Sequence, residues 1–255
     1  MSVLSGFADI SLGQLLLVAG VALFASLVGG LAGYGTGALM PLVLVPLIGA
    51  EPVVPIIAIS AIFTNTSRLV AYLRYIDRRR ALIVIAAAAL TTALGAYGYT
   101  RLTSAGAALV IGFMLISSVP LRRLAKHREV RIGDSGLAAS AVGYGVVVGG
   151  TSGSGVILLS LLMAAGLEGA AVIATDAGIS VVTGVIKISV FGLAGVVTAQ
   201  VLAFALLIGI IAIPGAFLAR AFVERMPVHI HTAILDAAVI VGGVVMITTA
   251  ARSLT

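Results

Sequence analysis

Two sets of polar residues stand at helical spacing inside otherwise apolar sequence. Asp176, Ser180, Thr183 and Lys187 are separated by four, three and four positions, which places them on one face of a helix. Ser60, Thr64 and Arg68 repeat the four-residue step, with Asn65 beside them. A carboxylate, an ammonium, a guanidinium and hydroxyls cost much in hydrocarbon, so such groups are candidates for a binding site or an ion path. Two glycine-rich runs add to this chemistry. Gly35, Thr36 and Gly37, within "GYGTGALMP", and Thr151, Ser152, Gly153, Ser154 and Gly155 each interrupt an apolar stretch and precede a short one. A helix that begins at such a break has backbone N–H groups without intrahelical acceptors, and its dipole makes that end partly positive. With Thr36, Thr151, Ser152 and Ser154 as hydroxyl donors, the two breaks describe a cradle for a small oxyanion.

The candidate substrate-binding set is therefore Gly35, Thr36, Gly37, Asn65, Arg68, Thr151, Ser152, Gly153, Ser154, Gly155 and Lys187. Ser60, Thr64, Asp176, Ser180 and Thr183 form the candidate coupling or gating set, with Asp176 placed to carry a proton. Other readings stand beside these. Gly29, Gly33 and Gly37, like Gly145, Gly149 and Gly153, also fit a small-residue stripe for close helix packing. Arg68 and Lys187 lie within about two turns of a helix end, from which long side chains can reach the headgroups. Asp176 and Lys187 are about 16 Å apart along the axis, too far for a direct ion pair. Glu51 and Glu168 fit helix N-termini, and Asp236 fits a position near the interface.

These residues need a membrane scaffold. Only 9% of the 255 residues are charged and 61% are hydrophobic, whereas a soluble domain carries roughly 25% charged residues. With a mean hydropathy of +1.25, the chain is expected to be an all-α, multi-pass integral membrane protein. The net charge of +6 then marks topology rather than nucleic-acid binding. There is no cysteine, which removes thiol chemistry and thiolate metal sites. His127, His229 and His231 fall in or beside expected loops and make no metal cluster. No basic residue precedes the first apolar run, as a cleavable signal would require.

Long apolar spans are expected at 12–32, 52–73, 81–100, 104–120, 136–150, 169–190, 196–219 and 230–250, with short pieces at 38–48 and 156–167. Ser11 with Gln14 forms a capping box, Pro52 fits a first turn, and Asp134 and Ser135 fit a cap. "RYIDRRR" (74–80) and "RRLAKHREVR" (122–131) are the strongest basic loops and are expected on the cytoplasmic side, "FGLAG" (191–195) on the other. The 220–229 loop, with Arg220 and Arg225, is a weaker internal signal.

The chain also repeats itself. "GYGTGALMPLVLVPLIGAEPVV" aligns with "GTSGSGVILLSLLMAAGLEGAA", matching Gly35 to Gly153, Gly37 to Gly155 and Glu51 to Glu168. The expected organisation is a first membrane repeat at 1–121, a basic cytoplasmic linker at 122–133 and a second repeat at 134–255. Crossing short pieces would make five segments per half and inverted repeats. Re-entrant ones would make four crossings and parallel repeats. The loop charges favour inversion, and inverted repeats with broken helices mark transporters.

With the first glycine break, its proline-bearing short helix, "AISAIFTNTSRLVAYLRYIDRRR" and the second-half echo, the chain resembles the TauE/SafE family of sulfite and organosulfonate transporters. The family's consecutive glycines are replaced by Gly-Thr-Gly and Gly-Ser-Gly, and the second break lacks the proline. The resemblance implies export of sulfite or a small sulfur-containing oxyanion across the bacterial inner membrane, with no metal or organic cofactor. The expected partners are that anion and membrane lipid, not nucleic acid. Small-residue faces suit internal packing or a homodimer equally well. Two alternatives remain: an intramembrane serine protease with Ser152 as nucleophile, or a passive anion channel.

Overall fold

The computed structural model describes residues 3–8, 10–32, 35–127, 131–223 and 228–252. Gly33 and Tyr34, and the side chains of His127, Arg220, Arg225, His229, His231 and Asp236, lie outside that description. Among the described residues there are ten α-helices and no strand: α1 (Leu12–Ala32), α2 (Gly35–Ile48), α3 (Val53–Tyr72), α4 (Arg78–Tyr99), α5 (Ser104–His127), α6 (Asp134–Gly150), α7 (Gly155–Ala164), α8 (Gly169–Leu193), α9 (Ala199–Val223) and α10 (Val228–Arg252). Four of them, α3, α4, α5 and α8, contain apolar windows long enough to cross a bilayer. The chain is a polytopic helical membrane protein.

Local signals start these helices where the chemistry requires. Ser11 and Gln14 exchange backbone-to-side-chain hydrogen bonds of 2.9 and 3.3 Å ahead of α1, as a capping box does. Asp77 caps α4 by accepting from the Arg80 amide at 2.9 Å. Two expected caps differ. Gly133, not Asp134 or Ser135, holds the cap position of α6, and the Asp134 carboxylate pairs with Arg79 at 2.6 Å. Pro52 stands just before α3 rather than in its first turn.

Contacts between loops define two ends of the bundle. At the basic end, Arg79 meets Asp134, the Asp77 amide donates to Thr175 Oγ1 at 3.0 Å, and the Ile132 amide donates to the Ala164 carbonyl at 2.9 Å. At the opposite end, the Tyr99 hydroxyl donates to the Ala50 carbonyl at 2.7 Å, and Gly6 lies directly on the Ala199 carbonyl. Tyr97, Thr100 and Arg101 share a surface hollow there with Val190, Leu193 and Ala194.

These contacts decide how the short helices run. The last turn of α7 returns to the residues just before α6, so α6 and α7 form a hairpin with both outer ends at the basic end. By the same reasoning α1 and α2 form a hairpin whose outer ends, near Gly6 and Ala50, lie at the other end. The expectation that a long helix such as 12–32 or 136–150 crosses completely before each short piece is therefore corrected. Hydropathy cannot separate an arm that turns back at mid-depth from one that crosses, because both are surrounded by apolar groups. In chain order each hairpin is followed by three further helices, and of these α3, α4, α5 and α8 carry windows long enough to cross.

Residue contacts show α3 and α8 running antiparallel: Arg68 lies against Asp176, Leu69 against Gly178, and Ile62 against Gly184. α5 and α10 are also antiparallel, with Gly112 on Ile247 and Ile116 on Gly243. α4 and α6 pack closely, as do α1 and α9. α3 packs on α9 as α8 does on α4, and α2 packs on α10 as α7 does on α5. Exchanging α1–α5 for α6–α10 leaves these pairs unchanged.

Candidate functional site

The two hairpin tips meet. A Cβ on Gly37 would stand 3.0 Å from the Gly153 amide nitrogen, and one on Gly153 would stand 3.5 Å from the Gly37 carbonyl and 3.6 Å from Leu115. Leu115 lies midway along α5, so this contact is at the centre of the bundle. Gly153 has φ +80°, a left-handed conformation that a β-carbon makes costly. Pro41, inside α2, has no N–H to give the Gly37 carbonyl one turn back. That carbonyl therefore loses its helical donor at the tip.

The packing alternative for the glycines holds for part of the stripe. Cβ atoms on Gly145 and Gly149 would fall 2.6 Å from the Ala88 carbonyl and 2.2 Å from the Thr92 carbonyl. These two glycines let α6 lie on α4, while Gly153 makes the turn.

Around the tips lies a cavity of about 130 Å³. It is well below the roughly 300–1,000 Å³ typical of drug-sized ligands, but holds several water-sized groups. Every residue of the sequence-derived binding set borders it: Gly35, Thr36 and Gly37 from the first hairpin, Thr151 to Gly155 from the second, Asn65 and Arg68 from α3, and Lys187 from α8. Thr64, Ser180 and Thr183 border it too. Ser60 does not; it is buried and its hydroxyl donates to the Ile57 carbonyl at 3.2 Å.

Asp176 stands behind Arg68. Arg68 Nη2 donates to Asp176 Oδ2 at 2.9 Å and to Asn65 Oδ1 at 2.6 Å. The Asp176 side chain is 1% exposed and that of Arg68 12%, so Arg68 does not reach for the headgroups. Lys187 is also held inward: it is buried, and its ammonium donates to the Thr151 carbonyl at 3.1 Å. This bond ties α8 to the second tip.

Three features make the centre receptive to an anion. The amides opening α7 have no side-chain cap from Ser154. Ser152 is buried at the tip and its hydroxyl has no hydrogen-bond partner, which is expensive unless a ligand or water completes it. The charged groups bordering the cavity, Arg68 and Lys187, are both cations. The Ser152 hydroxyl makes no hydrogen bond to a base, as an activated nucleophile would.

Sequence reasoning missed several lining residues: Ser26, Tyr144, Ile57, Ala58, Ala61 and Val148. The α3 members were within reach, since positions 57, 58 and 61 continue the face of 64, 65 and 68. Tyr144 gave only a weak signal, a single phenol within an apolar run.

The sequence profile of the family described as sulfite exporter TauE/SafE matches residues 18–246, nearly the whole chain. No curated protein and no solved structure matches the chain significantly.

Proposed function

The chain belongs to the sulfite exporter TauE/SafE family, whose members are membrane transporters rather than enzymes, and from that premise we propose that it exports sulfite or a small organosulfonate by alternating access. The anion sits where the two hairpin tips converge. Ser152 and the open amides of α7 donate to its oxygens, and Lys187 and Arg68 supply charge. Gly35, Thr36 and Gly37 provide the facing wall, and Thr64, Ser180 and Thr183 line the path between the two cations. The halves 1–121 and 134–255 act as inverted repeats around a basic linker at 122–133. The basic end faces the cytoplasm of a bacterial inner membrane.

The observation that carries this reading is the contact of Gly37 with Gly153 beside the unpartnered Ser152 hydroxyl. Helix starts from two halves share one small, cation-lined space. The test is flux of radiolabelled sulfite from proteoliposomes, with wild type compared with Ser152→Ala and Gly153→Val. Saturable flux is expected in the wild type, falling about tenfold in Ser152→Ala as one charge-assisted donor is lost. It should be abolished in Gly153→Val. Non-saturating conductance would favour a channel, and flux unchanged in both variants would remove the tips from the site.

A further inference from the structure

Arg68 serves two neighbours: it borders the cavity, and its guanidinium is bonded to Asp176, a buried carboxylate that does not itself border it. The second charge at the cavity, Lys187, has an uncharged partner, the Thr151 carbonyl. Thr64, Asn65, Ser180 and Thr183 between them are uncharged, and so is the phenol of Tyr144 on the adjoining α6. At the basic end of α8, Asp77 and Arg80 pair with each other at 2.6 Å, and Glu168, just before the helix, is exposed. With Lys187 protonated beside a bound anion, Arg68, Lys187 and Asp176 together offer that anion one net positive charge.

We propose that the cavity is charge-matched to a monovalent sulfur oxyanion, hydrogensulfite or an alkanesulfonate, and that Asp176 sets this match by offsetting Arg68. The proposal rests on reading the cavity as the substrate site. Its physical basis is the cost of uncompensated charge in a low-dielectric interior. A monoanion brings the loaded site to zero, whereas a dianion leaves it at minus one inside the bilayer. A zwitterionic sulfonate would bring an ammonium against two fixed cations. Asp176 is thus a positioning and specificity residue: it touches Arg68, which touches the ligand. The apolar stretch of the α3 wall at Ile57, Ala58 and Ala61 suits a short uncharged tail.

The test uses the full chain in detergent micelles at constant ionic strength, with methanesulfonate and sulfate as probes. Neither titrates near neutral pH, so ligand protonation does not enter. Calorimetric binding to wild type, Asp176→Asn and Asp176→Glu is compared. Wild type and Asp176→Glu should bind methanesulfonate at least about tenfold more tightly than sulfate, and Asp176→Asn, with a site charge of plus two, should reverse the order. A merely structural role for Asp176 predicts weaker binding of both anions. Should Asp176→Asn fail to fold, the wild-type ratio still decides: a preference for sulfate overturns the proposal. Equal binding of both probes in wild type overturns charge matching alone, and no binding of either overturns the substrate site as well.

Discussion

At the scale of single residues, the Arg68–Asp176 pair is where the cost of building the site is concentrated. Asp176 Oδ1 is buried without a partner, so its carboxylate depends on Arg68. Arg68→Met would leave a buried charge with no counter-ion and should cost about 3–5 kcal/mol, seen as a lowered unfolding temperature. The double replacement Arg68→Met with Asp176→Leu should recover most of that stability without restoring transport. If the single variant is as stable as wild type, the pair does not hold α3 to α8. Spacing alone made the face of α8 legible, because Ser180, Thr183 and Lys187 recur with the helical period. It could not pair Arg68 with Asp176. They are 108 positions apart, and nothing in either local pattern specifies the other. Nor could it show that Ser60, on the same stripe as Thr64, lies off the cavity that Thr64 borders.

Among the elements, the start of α4 is the best-defined joint. Asp77 accepts from the Arg80 amide and guanidinium, while its own amide donates to Thr175, the residue before Asp176. Burial acts to raise the Asp77 carboxyl, but the amides of Arg79 and Arg80 and the Arg80 side chain outweigh it and hold it below the ordinary carboxylate value. A carboxyl lowered in the folded state contributes its stability above its unfolded value and loses it as pH falls through the lowered one. Asp77→Ala should cost about 1 kcal/mol at neutral pH. The gap to wild type should close in acid, as measured by unfolding across a pH series. A gap that stays constant into acid would mean that the carboxylate is not the source. The helices themselves were largely legible, α1 from its capping box, but the span expected from 81 starts earlier because the Asp77 cap went unread. The hairpin course of α6 and α7 was not, because it depends on the Ile132 contact with Ala164 across the turn.

For the whole molecule, the two hairpins entering from opposite ends give a topology that can be mapped. The chain has no native cysteine, so single cysteines report cleanly. Arg131→Cys and Glu168→Cys should react with an impermeant maleimide from the cytoplasmic side, and Glu51→Cys and Ala194→Cys, exposed at the opposite end, from the other. Labelling of 131 and 168 from opposite sides would replace the α6–α7 hairpin with a crossing.

The meeting of Gly37 with Gly153 also bears on biogenesis. When the ribosome has released only the first half, the start of α2 at Gly35 to Gly37 has nothing opposite it, and helix-end amides without partners are unstable facing lipid. That helix start must wait in the interface or beside the insertion machinery until its counterpart is synthesised. The protein is therefore completed after translation, by two half-molecules closing on each other, and fragments 1–127 and 131–255 expressed together should reassemble where either alone is degraded.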